Sequence, residues 1–288
     1  MREYIRPFRV RYYELDSFNH VNNTVFADYM QQSAIEASAD AGFAPEWYAE
    51  QNTSWVVRKL EIRYLNPAGA NDELEVRTWV SDARRITSRR EYEITRKGDG
   101  AKIARARANW VYVNRETLQP VRIPKIFKEQ FQPDGVVEDL GIRVSKLEPT
   151  TDAYRYITRR RVEVRELDIS QHVNHVVYLN WVEQAYFDAL RTAGHPVTRT
   201  RQEGWFAFQG GHEIEYLEPA FDNDEIEIVS WVCEMGKVRG AWTHEIYNAT
   251  TKKLLAREYS LGVFVNDKGR LIHAPMQIVN DILRGKKR

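Results

Sequence analysis

The stretch Glu14-Leu-Asp16-Ser-Phe-Asn-His20-Val-Asn22-Asn23 returns as Glu166-Leu-Asp168-Ile-Ser-Gln-His172-Val-Asn174-His175, 152 residues further on. The same offset lays Ile62-Arg-Tyr64-Leu65-Asn-Pro67-Ala68 over Ile214-Glu-Tyr216-Leu217-Glu-Pro219-Ala220, and Asp72-Glu73 over Asp224-Glu225. It also lays Trp79-Val80 over Trp231-Val232 and Val111-Tyr-Val113-Asn114 over Val263-Phe-Val265-Asn266. A register kept over such a length is the mark of a duplication, and it restricts the fold to one that is built twice. The repeating unit is about 120 residues, enough to bury a core of its own. The boundaries read as unit 1 over residues 1–135, a connector over 136–152 and unit 2 over 153–288. Pro120, Pro124, Pro133-Asp-Gly135 and Pro149 interrupt regular structure around the join, with a short helical piece near Lys125–Phe131. The tail from Pro275 reads as a second version of that piece.

Each copy gives the same order of elements. A strand (Phe8–Glu14; Thr158–Glu166) feeds the motif, and a long helix follows, from Thr24 to Ala41 and from Val176 to Arg191. Phe26, Tyr29, Met30, Ser33, Ala34 and Ala37 recur at three- and four-residue steps, as do Tyr178, Trp181, Val182, Ala185, Ala189 and Leu190, so each helix has one apolar face. Gly42 and Gly194 stop the two helices. Four strand-like segments come next. Leu74, Val76, Thr78 and Val80 alternate with polar neighbours, and Ile226, Ile228, Ser230 and Val232 keep the same phase. Gly98-Asp-Gly100 and Asn248–Lys253 are the matching hairpin turns. The fold class is α+β, an antiparallel sheet against one long helix in each unit, and pairing of the two units would cover what a single layer leaves open.

Net charge is +1 and charged residues make up 29% of the chain, so bulk attraction to nucleic acid is not expected. No apolar run has the ~20 residues of a membrane span. The amino terminus has no signal-like apolar core, and a cytoplasmic setting is expected. The single cysteine, Cys233, and seven histidines without tight spacing give no disulfide framework and no metal site. Neither Gly-x-Ser-x-Gly nor a phosphate-cradling glycine loop occurs.

The chemistry is expected at the repeated motif. A carboxylate just before a helix start, Asp16 or Asp168, can take a proton from water or attack a carbonyl. The first helical turn offers backbone N–H groups and the positive end of the helix dipole to an oxyanion, here at Asn23 and Thr24 or at His175 and Val176. His20 and His172 are placed to hydrogen-bond the loop, orient the carboxylate or donate to a substrate. Asn22 and Asn174, or their neighbours, are natural helix caps, and the aspartates themselves are of a type that caps helices without any catalytic role.

Both motifs resemble the Asp-x-x-x-His-Val-Asn-Asn signature of hotdog-fold thioesterases. The likeness is strongest to the 4-hydroxybenzoyl-CoA thioesterase-like group and to acyl-ACP (acyl carrier protein) thioesterases, which carry two hotdog units in one chain. It extends through Tyr178-x-x-Trp181-x-Glu183-x-Ala185 and the strand ends at Tyr64 and Tyr216. The resemblance implies a tandem (double) hotdog paired as an intramolecular pseudo-dimer, with active sites between the units. It further implies hydrolysis of an acyl-CoA or acyl-ACP thioester without a cofactor. Asp16 and Asp168 would act as base or nucleophile, with His20, His172, Asn22 and Asn174 around them. Self-association beyond the chain is left open. Plant acyl-ACP thioesterases favour Asp-x-Asn-x-His, where this chain has Phe18 and Ser170, and their further acid and cysteine would fall near Pro219 and Ala220. Their catalytic set therefore does not transfer. A hotdog hydratase or dehydratase, with Asp and His one residue further apart, and a non-catalytic acyl-thioester binder are the alternatives.

Residues 84 to 107 hold nine Arg or Lys against three acids, including Arg84, Arg85, Arg89 and Arg90. That segment is either a solvated strand surface or a dock for CoA phosphates or an acidic carrier protein.

Overall fold

The computed structural model describes residues 2–136, 139–140 and 148–285, in two compact units, Met1–Leu140 and Gly141–Arg288. Most of the connector expected at 136–152 lies outside the described residues.

Unit 1 runs β1 (Glu3–Arg9), α1 (Val25–Asp40), α2 (Pro45–Glu50), β2 (Thr53–Tyr64), β3 (Glu73–Ala83), β4 (Thr87–Arg96), β5 (Lys102–Asn114) and α3 (Lys125–Phe131). Its strands form an antiparallel sheet in the order β1-β3-β4-β5-β2. Unit 2 runs β6 (Glu148–Pro149), β7 (Tyr156–Arg161), α4 (Val177–Thr192), α5 (Val197–Gln202), β8 (Trp205–Tyr216), β9 (Glu225–Met235), β10 (Arg239–Asn248), β11 (Leu254–Asn266) and α6 (Met276–Arg284). Its order is β8-β11-β10-β9, with β7 and β6 pairing different stretches of β9.

The alternating residues do what their period requires. Leu74, Val76, Thr78 and Val80 of β3, and Ile226, Ile228, Ser230 and Val232 of β9, are all buried. The apolar faces of α1 and α4 are buried as well, α4 with the larger side chains, including Trp181 and Tyr186. Gly42 and Gly194 both take φ of 91° after their helices, the left-handed conformation that favours glycine.

The duplication reaches below the level of side chains. The sheet of unit 1 has register shifts between Val57 and Lys59, between Val80 and Asp82, and between Ile94 and Thr95. Unit 2 shifts between Leu261 and Gly262, between Ala241 and Trp242, and between Ile246 and Tyr247. The residues skipped are Arg58, Ser81 and Ile103 in one unit and Gly210, Cys233 and Leu255 in the other, three matched pairs at the same offset. Bulges bend and twist a strand at fixed points, so the same curvature is kept over different residues.

One expectation needs correction. The first strand of each copy ends earlier than the sequence suggests, at Arg9 and Arg161, and single 3-10 turns follow at Tyr12–Glu14 and Val164–Glu166. The cause is a side chain. Glu14 folds back to accept the Arg11 N–H at 2.6 Å, and Glu166 accepts the Glu163 N–H at 2.9 Å. Each closes a turn where extended backbone would have continued.

Candidate active site

The motif loop is a miniature hairpin. Leu15 bridges to Val21 and Leu167 to Val173. The Asp16 N–H donates to the His20 carbonyl at 2.7 Å, and the Asp168 N–H to the His172 carbonyl at 2.9 Å. Asn19 and Gln171 turn the chain with φ of 63° and 62°. Asparagine tolerates that left-handed position better than glutamine does. The Val21 and Val173 N–H groups donate to the Ala68 and Ala220 carbonyls, tying each loop to the conserved-register Pro-Ala segment of its own unit.

Within this frame one oxygen of each motif carboxylate is structural. Asp16 Oδ1 accepts the N–H groups of Phe18 (2.8 Å) and His20 (3.1 Å), and Asp168 Oδ1 accepts that of Ser170 at 2.7 Å. The other oxygen is different. Among the described residues Asp16 Oδ2 has no hydrogen bond, and Asp168 Oδ2 has only the His172 ring, with Nδ1 at 3.7 Å. That distance is too long for a hydrogen bond and short enough for electrostatic steering of a protonated ring. Nδ1 of His172 also faces the Val173 carbonyl at 3.5 Å.

The helix caps are Thr24 and Val176, and Asn22 and Asn174, two residues earlier, close Asx turns over them. Asn22 Oδ1 accepts from the Thr24 N–H at 2.9 Å and the Thr24 hydroxyl at 2.8 Å, and Asn174 Oδ1 from the Val176 N–H at 3.0 Å. Their carbonyls accept the N–H groups of Val25 and Val177. The amides of Thr24 and Val176, expected to face an oxyanion, are therefore turned to the asparagine side chains, because an asparagine two residues upstream is an ideal local acceptor. In unit 1 the Asn23 N–H finds no acceptor among the described residues.

Two pairs of residues around the loop carried no assigned role in the sequence. Tyr64 and Tyr216, recognisable only as part of the repeat, donate their hydroxyls to the carbonyls of Asn23 (3.0 Å) and His175 (2.9 Å), pinning the helix entrance to the end of β2 or β8. Glu14 and Glu166 are the buried anchors of the loops. Glu14 accepts the Tyr29 hydroxyl at 2.6 Å, and Glu166 accepts Trp181 Nε1 at 3.0 Å and the Arg160 guanidinium. An acid two residues before the motif aspartate in both copies was the available signal. His175, packed edge-on to Tyr216 at 5.9 Å between ring centroids, is driven down to a pKa of about 4 by burial and, secondarily, by His172, so it is neutral at pH 7.

The basic segment does not form one surface. Arg84 is exposed and paired with Asp82 at 2.9 Å, Arg85 is exposed, and Arg89 reaches Asn109. Arg90 points the opposite way and is buried, its guanidinium 5.2 Å over the Phe131 ring and 3.4 Å from the Thr78 hydroxyl. Arg107 is also interior, 2.8 Å from Glu91. A carrier contact through Arg90 is ruled out by strand parity: neighbours in a strand face opposite sides. Among the described residues no group of His, Cys, Asp or Glu could hold a metal ion, and no helix is long and apolar enough to cross a membrane.

Residues 2–131 match the model of the acyl-ACP thioesterase N-terminal domain, and residues 162–284 that of the thioesterase-like superfamily. Both units are hotdog domains of the thioesterase superfamily. A palmitoyl-acyl carrier protein thioesterase of Cuphea hookeriana is 28% identical over 188 residues, which are 61% of this chain and 45% of that protein. An oleoyl-acyl carrier protein thioesterase of Arabidopsis thaliana is 26% identical over 196 residues, 62% of this chain and 53% of its own. The chain thus spans about half the length of the curated relatives it matches. The fold is shared with a 12:0-ACP thioesterase from Umbellularia californica (TM-score 0.72, 18% identity, 91% of this chain and 94% of that one). It is also shared with an acyl-ACP thioesterase from Bacteroides thetaiotaomicron (TM-score 0.68, 19% identity, 91% and 98%). These neighbours carry the tandem hotdog arrangement that the repeat pointed to.

Proposed function

We propose that this chain hydrolyses an acyl thioester, carried by acyl carrier protein or by CoA, to a free acid and a thiol. The observation that carries the reading is the division of labour within each motif carboxylate. Oδ1 holds the loop, and Oδ2 is left without a strong partner beside a helix entrance. In the reaction Oδ2 takes a proton from water, and the hydroxide adds to the thioester carbonyl. The tetrahedral oxyanion is met by the positive end of the helix, with the Asn23 N–H as donor in unit 1. Collapse breaks the C–S bond, and the thiolate leaves with the proton returned from the aspartic acid. His172, 3.7 Å from Asp168 Oδ2, orients that carboxylate in unit 2. Acyl carrier protein is favoured as carrier because the first unit matches an acyl-ACP thioesterase domain and the relatives are named for acyl-ACP substrates.

The test is thiol release from acyl-ACP and acyl-CoA by wild type, Asp16→Asn, Asp168→Asn and the double variant. Asparagine keeps the Oδ1 acceptor and removes the base. Loss of about 100-fold or more, on the scale of general-base catalysis, is expected at each working site. A loss confined to one variant would identify a single working site, and full activity in the double variant would overturn the mechanism. A protein that binds acyl thioesters without turnover in any form would be a carrier and not an enzyme.

A further inference from the structure

Unit 1 carries a cation in its interior that no acid of the chain balances. Arg90 of β4 stands opposite Val80 of β3, so its side chain enters the same face as Val80, beside the aromatic cluster of Phe43, Phe127 and Phe131, and it is 6% exposed. Nη1 donates weakly to the Thr78 hydroxyl at 3.4 Å, and the guanidinium stands 5.2 Å over the Phe131 ring. Among the described residues no carboxylate pairs with it. Glu91, next in the strand, faces the other side and is taken by Arg107 at 2.8 Å. Burial pulls the Arg90 pKa down, and the groups near enough to oppose this are the phenols of Tyr92 and Tyr48, both kept protonated by their own burial. A guanidinium stays charged all the same. The attraction of a ring face is smaller than the cost of stripping a charge of water, so buried charges are paired.

Two further observations bear on the missing partner charge. Nε and Nη2 of Arg90 make no hydrogen bond among the described residues, yet neither is sealed in, so each borders space that a water-sized particle reaches. Tyr48 is close enough to act on the arginine's charge. Its hydroxyl accepts Trp55 Nε1 at 3.1 Å and lies 2.7 Å from Ser38 Oγ; with the serine as donor, the phenolic proton is left to turn toward an anion. At the 152-residue offset unit 2 has Trp242, Thr200, Leu190 and Ala207 in place of Arg90, Tyr48, Ser38 and Trp55. Trp242 keeps the register of Arg90, opposite Val232. The fold thus accepts an apolar residue there, and the charged set is particular to unit 1.

We propose that unit 1 binds a small monovalent anion of halide size against the Arg90 guanidinium, with the Tyr48 O–H as a further donor. A halide suits the place, since it carries a full charge in little volume and tolerates aromatic neighbours on its remaining sides. The site is independent of the thioesterase reading.

The test uses the full-length protein in two ways. Crystals soaked in sodium bromide are measured at the bromine absorption edge, and an anomalous peak is expected within hydrogen-bonding range of the Arg90 guanidinium. Thermal melts are compared in sodium chloride and in sodium gluconate of equal ionic strength. For an ion present at about ten times its Kd, the melting temperature should be about 2–4 °C higher in chloride. Arg90→Met should remove both the bromide peak and the difference between salts, and in gluconate it should melt no lower than wild type, because it no longer buries an unpaired charge. Tyr48→Phe, which keeps the arginine, should need about tenfold more chloride for half of the shift, and it carries the test if Arg90→Met does not fold. Equal melting temperatures in the two salts would overturn the proposal, and a bromide peak beside them would then be binding at soak concentration only. A peak found only elsewhere, or a salt difference that survives Arg90→Met, would overturn it too, as would an Arg90→Met protein that melts lower by the same amount in both salts, the mark of a purely structural arginine. None of these readouts involves turnover, so the outcome leaves the thioesterase reading to its own assay.

Discussion

The buried glutamate beneath each motif loop makes a prediction that can be worked through in numbers. Glu166 is 9% exposed and receives Trp181 Nε1 at 3.0 Å, the Glu163 N–H at 2.9 Å and the guanidinium of Arg160, which is itself 25% exposed. Glu166→Ala strands the indole N–H of a tryptophan that is 1% exposed, a loss of about 1.5–2 kcal/mol, and removes a charge-assisted bond to the backbone of about the same size. The Arg160 pair is partly in water and contributes less. The expected total is about 3–4 kcal/mol, whereas Glu166→Gln, which keeps an acceptor for Trp181, should lose only about 1 kcal/mol. Because part of the effect is the orphaned indole, Trp181→Phe should relieve it. A double-mutant cycle between Glu166→Ala and Trp181→Phe, measured by urea unfolding, should give a coupling of about 1–2 kcal/mol. A coupling below about 0.5 kcal/mol, within the range of independent sites, would refute the claim that this pair anchors the loop. The Asn174 N–H donates to the Glu166 carbonyl, so Glu166→Ala should also lower kcat in thiol release without abolishing it.

Other outcomes follow from the same geometry. Gln171→Gly should stabilise unit 2 by about 0.5–1 kcal/mol, since glutamine at φ of 62° is in a conformation that glycine adopts freely, and calorimetric melting will show the shift. Gly42→Ala, at φ of 91° with open space around its Cβ, should destabilise by about 1 kcal/mol through backbone conformation alone, with activity unchanged. Burial, followed by the charge of His212, holds the His244 pKa at about 3. Below its unfolded value near 6.5 the unfolded chain takes up a proton that the native chain refuses, so stability falls with pH from 6.5 toward 3, by at most about 1.4 kcal/mol per pH unit. Glu258, raised by the same burial, acts in the opposite sense, its contribution fading as pH rises above its unfolded value of 4.5 through its native one. His244→Gln should lower the slope of the urea midpoint against pH between 4.5 and 6.5 relative to wild type; an unchanged slope would contradict the assignment.

What sequence could and could not convey divides along physical lines. The long helices, the Gly98-Asp-Gly100 hairpin, the alternation in β3 and β9 and the short helix at Lys125–Phe131 are local patterns, written in neighbours, and each is found where its period placed it. The 3-10 turns are different, because one glutamate side chain decides whether a strand continues, and strand propensity carries no record of that contact. The basic segment misleads for another reason. Counting charge ignores strand parity, which puts Arg89 near the surface and Arg90 inside. The motif aspartates were legible as residues, but the split between their two oxygens is a matter of loop geometry. The cluster of His212, Glu258, His244 and Ser230 was invisible. Its members lie on four different strands, and only the sheet register brings them onto one face.

The matched bulges have a bearing on how such a chain can change. Where three irregularities fix the path of the backbone in both siblings, side chains between them become exchangeable cargo. An arginine–glutamate pair can settle in the interior of one copy and a histidine–glutamate pair in the interior of the other while the ladders stay in step. Transplanting residues 254–266 onto the place of 102–114 would then change which side chains fill the interior without redrawing the scaffold.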